Sequence, residues 1–255
     1  MNRIKIFILL IASTICSKLN AQITIQTDRP DQTECPFITP VGYMQAEHGF
    51  TKEKIRNSLS STTLPTILWK YGINKNVEFR LITEANSIKY NGFKTAGIVP
   101  TIIGFKVKVS EEKGIIPAIG FIGHLSLPSL ASQNFKATYY APSFRFNMQH
   151  TLNDKFTLAY NLGAEWDGET PEPSFIYTLT TGMSITNKLG AYVELYGFAP
   201  QKNKADHRAD GGITYLINND FMVDVSAGFG ITDISPMYYY ALGFSYRIKI
   251  KKQKL

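Results

Sequence analysis

The feature that most constrains this chain is a two-residue hydrophobic period sustained for ten residues or more. Over 156–166, Phe156, Leu158, Tyr160, Leu162, Ala164 and Trp166 fall on one face, and Thr157, Ala159, Asn161, Gly163 and Glu165 on the other. The same alternation recurs over 77–85, 189–197, 221–231 and 238–248. Successive side chains of a strand point to opposite faces, so each segment reads as a strand with one apolar and one mixed face. Soluble strands usually run to about six residues, whereas about ten tilted residues cross a bilayer. An exported β-sandwich also alternates, but the length of the repeats favours a single antiparallel transmembrane β-barrel.

The intervening turns come in two lengths. Short ones fall at 73–76, 110–114, 152–155, 186–188 and 218–220, rich in Asn, Asp and Gly that suit tight hairpins. Longer ones fall at 51–60, 87–93, 128–135, 167–173, 200–207 and 232–236. Outer-membrane barrels alternate short periplasmic turns with longer outer loops. The segmentation predicts twelve strands near 42–51, 61–73, 77–87, 94–109, 114–127, 136–151, 155–167, 174–186, 188–199, 207–217, 220–231 and 237–249. An even count leaves both ends in the periplasm. Phe156, Tyr215, Phe221 and Tyr246 then approach the inner rim, and Trp166, Phe229 and Tyr238 the outer rim, as two aromatic girdles. The first two strands fit least well: His48 falls on the lipid face, and 64–73 alternates poorly. Pro65, Pro100, Pro117 and Pro142 fall inside predicted strands and mark bulges or kinks that could open the wall sideways.

The two ends read differently. Residues 1–21 carry a positive start, Arg3 and Lys5, then an apolar run over 6–15, the pattern of an export signal cleaved near Ala21. A lipoprotein start at Cys16 would want a small residue where Ile15 stands. Cleavage at Ala21 leaves Cys35 without an intrachain partner. The formal charge of +7 resides largely in the leader and in a closing run holding Arg247, Lys249, Lys251, Lys252 and Lys254, so it is no sign of nucleic-acid binding. No later stretch is apolar enough for a membrane-spanning helix. The expected organisation is a signal peptide (1–21), an irregular N-terminal segment (22–41), a barrel (42–249) and a basic tail (250–255).

On the non-lipid faces the pattern collects Glu47, Glu78, Arg80, Glu84, Lys106, Lys108, Arg145, Glu165, Asp167, Glu194, Arg208, Asp210, Asp224 and Arg247. Mixed signs argue against a strongly ion-selective constriction and fit a lumen crossed by ion pairs. The segment TDRPDQTECP, residues 27–36, cannot enter lipid, because Asp28, Arg29, Asp31 and Glu34 are charged and its backbone is interrupted by Pro30 and Pro36. It is expected to fold up into the periplasmic mouth as a plug, pairing with luminal groups such as Arg145, Arg247 and Glu194; a loose periplasmic arm is the alternative. No metal-ligand spacing and no phosphate loop is present, and no cofactor is expected. His124 and Ser126 share a face, but that face is luminal and no third group orients them, so no catalytic residue and no enzyme activity is expected.

The two ends also carry a resemblance. Thr27–Pro36, followed by VGYMQAEHGFT, and the closing Gly243, Ser245, Tyr246 and Arg247 resemble the T-D-R-P-D-x-T-E-x-P start and G-x-S-Y-R end of a bacterial family of outer-membrane β-barrels. That family is classed among transporters and with the MetA pathway of phenol degradation. Cys35 stands where Ser or Ala would be usual, and Ala241 and the run beyond Lys249 depart from the usual closing strand. The resemblance implies a Gram-negative outer-membrane channel that passes small molecules, apolar or aromatic ones among them, passively or by facilitated uptake. Its partners would be the solute, outer-membrane lipids and the barrel-assembly machinery, with no nucleic acid. The alternative is a closed-lumen barrel with a structural or lipid-modifying, hydrolytic role.

Overall fold

The computed structural model describes residues 24–250; the expected export signal (1–21) and most of the expected basic tail lie outside them. The strands are β1 (Tyr43–Arg56), β2 (Leu59–Asn74), β3 (Val77–Tyr90), β4 (Phe93–Ile98), β5 (Thr101–Ser110), β6 (Ala118–Leu127) and β7 (Ala141–Thr151). They continue with β8 (Phe156–Glu165), β9 (Ser174–Ser184), β10 (Leu189–Pro200), β11 (Asp206–Asn218), β12 (Phe221–Gly230) and β13 (Tyr238–Lys249). Every pairing between named strands is antiparallel, and sequential neighbours pair except β4 and β5, which both pair with β3. The ring closes because β1 pairs with both β13 and β2, and β2 with β3. The wall is therefore twelve strands around, with β4 added beside the upper part of β3.

Inside and outside follow from the pleat. Glu78 and Arg80 are 0% and 1% exposed, while Phe79 between them is 44% exposed. The outward face carries Leu162, Leu195, Val193, Val225 and Leu242, all exposed on the isolated chain as residues facing lipid must be. His48 lies on this face too. It stacks on Phe244 at 4.4 Å and meets the edge of Trp69 at 6.2 Å, so a ring of neighbours replaces the missing aliphatic side chain.

Several boundaries differ from the expectation. The stretch 51–60 is no long loop: β1 and β2 continue as a ladder to the turn at Asn57 and Ser58. Likewise 87–93 is mostly the ladder of β3 and β4 around Asn91 and Gly92. In contrast, 114–117 and 136–140 lie outside the strands; the latter follows two single-turn 3-10 helices, Pro128–Leu130 and Gln133–Phe135. The prolines act locally. Pro65 lies in the register shift between Thr63 and Thr66, Pro100 separates β4 from β5, Pro117 precedes β6, and Pro142 is the second residue of β7. At the first three the ladder is interrupted, so no donor is lost. Pro142 lies within the β6–β7 ladder opposite Leu125, and its carbonyl accepts from Trp166 N at 3.1 Å.

Candidate functional site: the lumen and the N-terminal segment

The inward face of the wall is where charge accumulates. Glu47, Glu78, Arg80, Lys106, Glu194, Asp210, Asp224 and Arg247 are buried there; Glu84, Arg145 and Glu165 share inward positions and are half-buried. The irregular segment from Thr24 to Val41 runs among them. Its first tie is at the turn between β11 and β12, where Ile25 N donates to the Asn219 carbonyl at 2.8 Å.

Asp28 is the hub. One carboxylate oxygen accepts from Lys106 Nζ at 2.7 Å and from the Cys35 amide at 3.1 Å. The other accepts from Arg80 Nη1 at 2.8 Å and Lys70 Nζ at 3.0 Å. Its amide donates to Glu47 Oε2 at 2.9 Å. Three cations from β2, β3 and β5 thus converge on one aspartate. Burial alone would raise this carboxyl; Lys106, Lys70 and Arg80 reverse that and hold it well below the usual carboxylate range. The cations are themselves shared: Lys70 also meets Glu47 at 2.6 Å, and Arg80 meets Glu34 at 2.6 Å and Glu78 at 3.3 Å. Thr39 N closes this side by donating to Glu78 Oε2 at 2.6 Å.

The opposite wall holds the segment by its backbone. Glu194 accepts from the amides of Gln32 at 2.7 Å and Thr33 at 2.8 Å, and from Thr180 Oγ1 at 2.9 Å. Asn161 acts as a reciprocal clamp: its Oδ1 accepts from Glu34 N at 2.7 Å and its Nδ2 donates to the Glu34 carbonyl at 3.0 Å. Arg29 reaches Asp224 at 2.9 Å. It does so across Gly49 and Gly243, which face each other between β1 and β13. A Cβ at Gly49 would stand 2.0 Å from Arg29 Nη1, and one at Gly243 2.5 Å from Nη2. A side chain at either position would displace the guanidinium from its place against the wall.

These contacts revise the expected partners. Arg145 touches the segment only through the Gln32 carbonyl at 3.2 Å, and Arg247 turns to Asp220 at 2.7 Å. Glu194 holds amides rather than a cation. Asp31 has no ion pair among the described residues; burial first, and then neighbouring Glu194, push its carboxyl well above the usual range. Lys70 and Asn161 stand outside the charged set that the sequence pattern collects. Lys70 lies in the segment of poorest alternation, where a single cation among Leu68, Trp69 and Tyr71 carries no pattern. By sequence pattern Asn161 is an ordinary polar partner of an apolar face. Cys35 is half-buried, its thiol donating toward the Phe37 carbonyl at 3.7 Å, and burial pushes its pKa to about 12. His124 Nε2 accepts from Arg80 Nε at 3.1 Å, so the imidazole that shares a face with Ser126 is engaged elsewhere.

A closed twelve-stranded antiparallel barrel with an apolar outer face and a charged lumen is the architecture of an outer-membrane channel. Within that class, residues 27–248 match the family described as "Putative MetA-pathway of phenol degradation", and the chain belongs to that family. No curated protein matches it in sequence. Among solved structures, it is similar to the COG4313 outer membrane channel from Pseudomonas putida F1, at 10% identity and a TM-score of 0.67, covering 88% of this chain and 100% of that one. It is also similar to the KdgM porin in complex with disordered oligogalacturonate, at 10% identity and a TM-score of 0.54, covering 80% of this chain and 98% of that one. The NanC porin matches at 9% identity with a TM-score of 0.53, over 80% of this chain and 100% of that one. At such identities the likeness is one of fold.

Proposed function

We propose that this protein is a non-enzymatic outer-membrane channel for small apolar or aromatic molecules, constricted in its periplasmic half by residues 24–41. The observation that carries the reading is the seating of Asp28 on Lys70, Arg80 and Lys106. A charged segment anchored on both sides of the lumen leaves no broad aqueous path for a hydrophilic solute. The inward face also offers Ile122, Ile176, Tyr192, Tyr196 and Tyr239, buried side chains suited to an apolar passenger. The solute would be a substrate of passage, with no chemistry performed on it. Export would depend on the leader and its cleavage near Ala21, and insertion on the assembly machinery.

The wall offers such a solute a sideways exit. Above Pro100, β4 pairs with β3 on one edge. On its other edge it is held by Ile98 and Ser132, which exchange two hydrogen bonds of 2.9 Å. Among the described residues no ladder joins β4 to β6 or β7 there, so opening costs few backbone bonds.

Two measurements test the reading. Deleting residues 23–36 should raise single-channel conductance severalfold; unchanged conductance would remove the constriction. In liposome swelling, the intact protein should admit aromatic acids faster than sugars of similar size. Equal rates for both would reject the preference for apolar solutes.

A further inference from the structure

One quarter of the outer rim carries cations that no carboxylate answers. On the outward face, the register sets Tyr238 opposite Lys54, Lys54 opposite Ser60, Ser60 opposite Lys89, and Lys89 opposite Lys94. One step toward the membrane, Tyr240 lies opposite Lys52, and Lys52 opposite Thr62. Adjacent strands are about 4.8 Å apart, so the four lysines fall within about 15 Å of one another along and across the sheet. Among the described residues none of them makes an ion pair, and Lys54 Nζ donates only to the Asn57 carbonyl at 2.5 Å. Lys202, elsewhere on the outer loops, has its carboxylate in Glu172.

The arrangement costs stability as it stands. Lys89 and Lys94 directly face each other in an antiparallel pair, which is destabilising for like charges. A hollow of about 690 Å³ opens on this face, lined in part by Lys52, Lys54, Lys89, Ser60, Tyr238 and Tyr240. Glu53 reaches its rim but is held from the luminal side by Arg208 at 2.9 Å. Below it, Leu64 and Leu242 are exposed on the lipid face.

We propose that this patch binds the phosphorylated glycolipid of the outer leaflet. The lysines take its phosphates as point charges, the hydroxyls of Ser60, Tyr238 and Tyr240 meet its sugars, and its acyl chains lie along the apolar wall below. Bound phosphate also relieves the repulsion between Lys89 and Lys94. The proposal rests on the outer-membrane reading, with the turn at Asn57 outside the cell.

The test uses the whole mature protein in neutral detergent, titrated with bisphosphorylated lipid A, with its dephosphorylated form, and with phosphatidylglycerol. Wild-type protein should bind bisphosphorylated lipid A at least tenfold tighter than either of the others. The quadruple Lys52→Gln, Lys54→Gln, Lys89→Gln, Lys94→Gln variant should lose that preference. The double variant Lys89→Thr, Lys94→Thr, confined to the β3–β4 hairpin, should lose part of it even if the quadruple variant fails to fold. Equal binding of phosphatidylglycerol, or full retention of lipid A by the double variant, would overturn the proposal. Single-channel conductance of the double variant is read in parallel and should match wild type; absence of conductance in both proteins, with the lipid preference present in wild type and weakened in the double variant, would count against the channel reading alone.

Discussion

At the residue scale, the outcome depends on Asp28 more than on any other side chain. Its carboxylate is nearly inaccessible and bridges three buried cations, Lys70, Arg80 and Lys106, of which Lys106 has no other carboxylate partner among the described residues. Removing one member of such a set leaves uncompensated charge, at a cost of roughly 3–5 kcal/mol. Asp28→Asn should therefore lower the temperature at which the unheated, folded form is lost on electrophoresis, whereas a segment that merely rested in the lumen would leave that temperature unchanged. Asp31 behaves in the opposite sense. Its raised pKa means the free segment ionises above about pH 4 while the docked one stays protonated, so its contribution to docking is lost as pH rises toward the folded value. Asp31→Asn should leave docking unaffected near pH 4 and strengthen it at pH 7 to 8, measured as protection of the segment from protease; no gain at pH 8 would contradict the assignment. Asp28, with a depressed pKa, contributes fully above about pH 4 and loses its contribution only as the pH falls through its lowered value.

At the element scale, the strands that cross lipid were legible because lipid enforces the alternation: each outward side chain must be apolar and each inward one is free to be polar. The pattern fades where a hairpin rises beyond the hydrocarbon and is polar on both faces, as at 51–60 and 87–93, and a polar ladder there reads as a loop. The irregular segment was legible as something excluded from lipid. Its partners were not, because Lys70 and Arg80 reach Asp28 across a lumen whose width no local pattern encodes. The glycine pair shows the same division. Gly243 is visible in the closing motif, but its purpose appears only when Arg29 is found lying across it and Gly49. Gly49→Val should displace Arg29 from Asp224 while leaving the β1–β13 ladder closed. Increased proteolysis of the segment with unchanged strand content by circular dichroism is the expected outcome, and an unaltered segment would refute it.

At the scale of the whole molecule, a β-meander closes on itself through β1 and β13, so the first and last strands share one seam. The segment that precedes β1 starts beside the β11–β12 turn and spans to β8 and β10 through Asn161 and Glu194 before it leads into β1. Closure and antiparallel order followed from the length and number of the alternating repeats. Which solute passes did not, since the free cross-section is set by how the segment packs.

The half-buried thiol of Cys35 turns this arrangement into a gauge. Burial keeps it protonated at neutral pH, and it sits in the very stretch that Asp28 and Asn161 pin down. Its alkylation by a maleimide should be slow while the lumen is occupied and should accelerate at least tenfold in Asp28→Asn, so that a single native sulfur reports in real time whether the bore is obstructed. Equal labelling rates in the two proteins would show that the obstruction does not depend on that one aspartate.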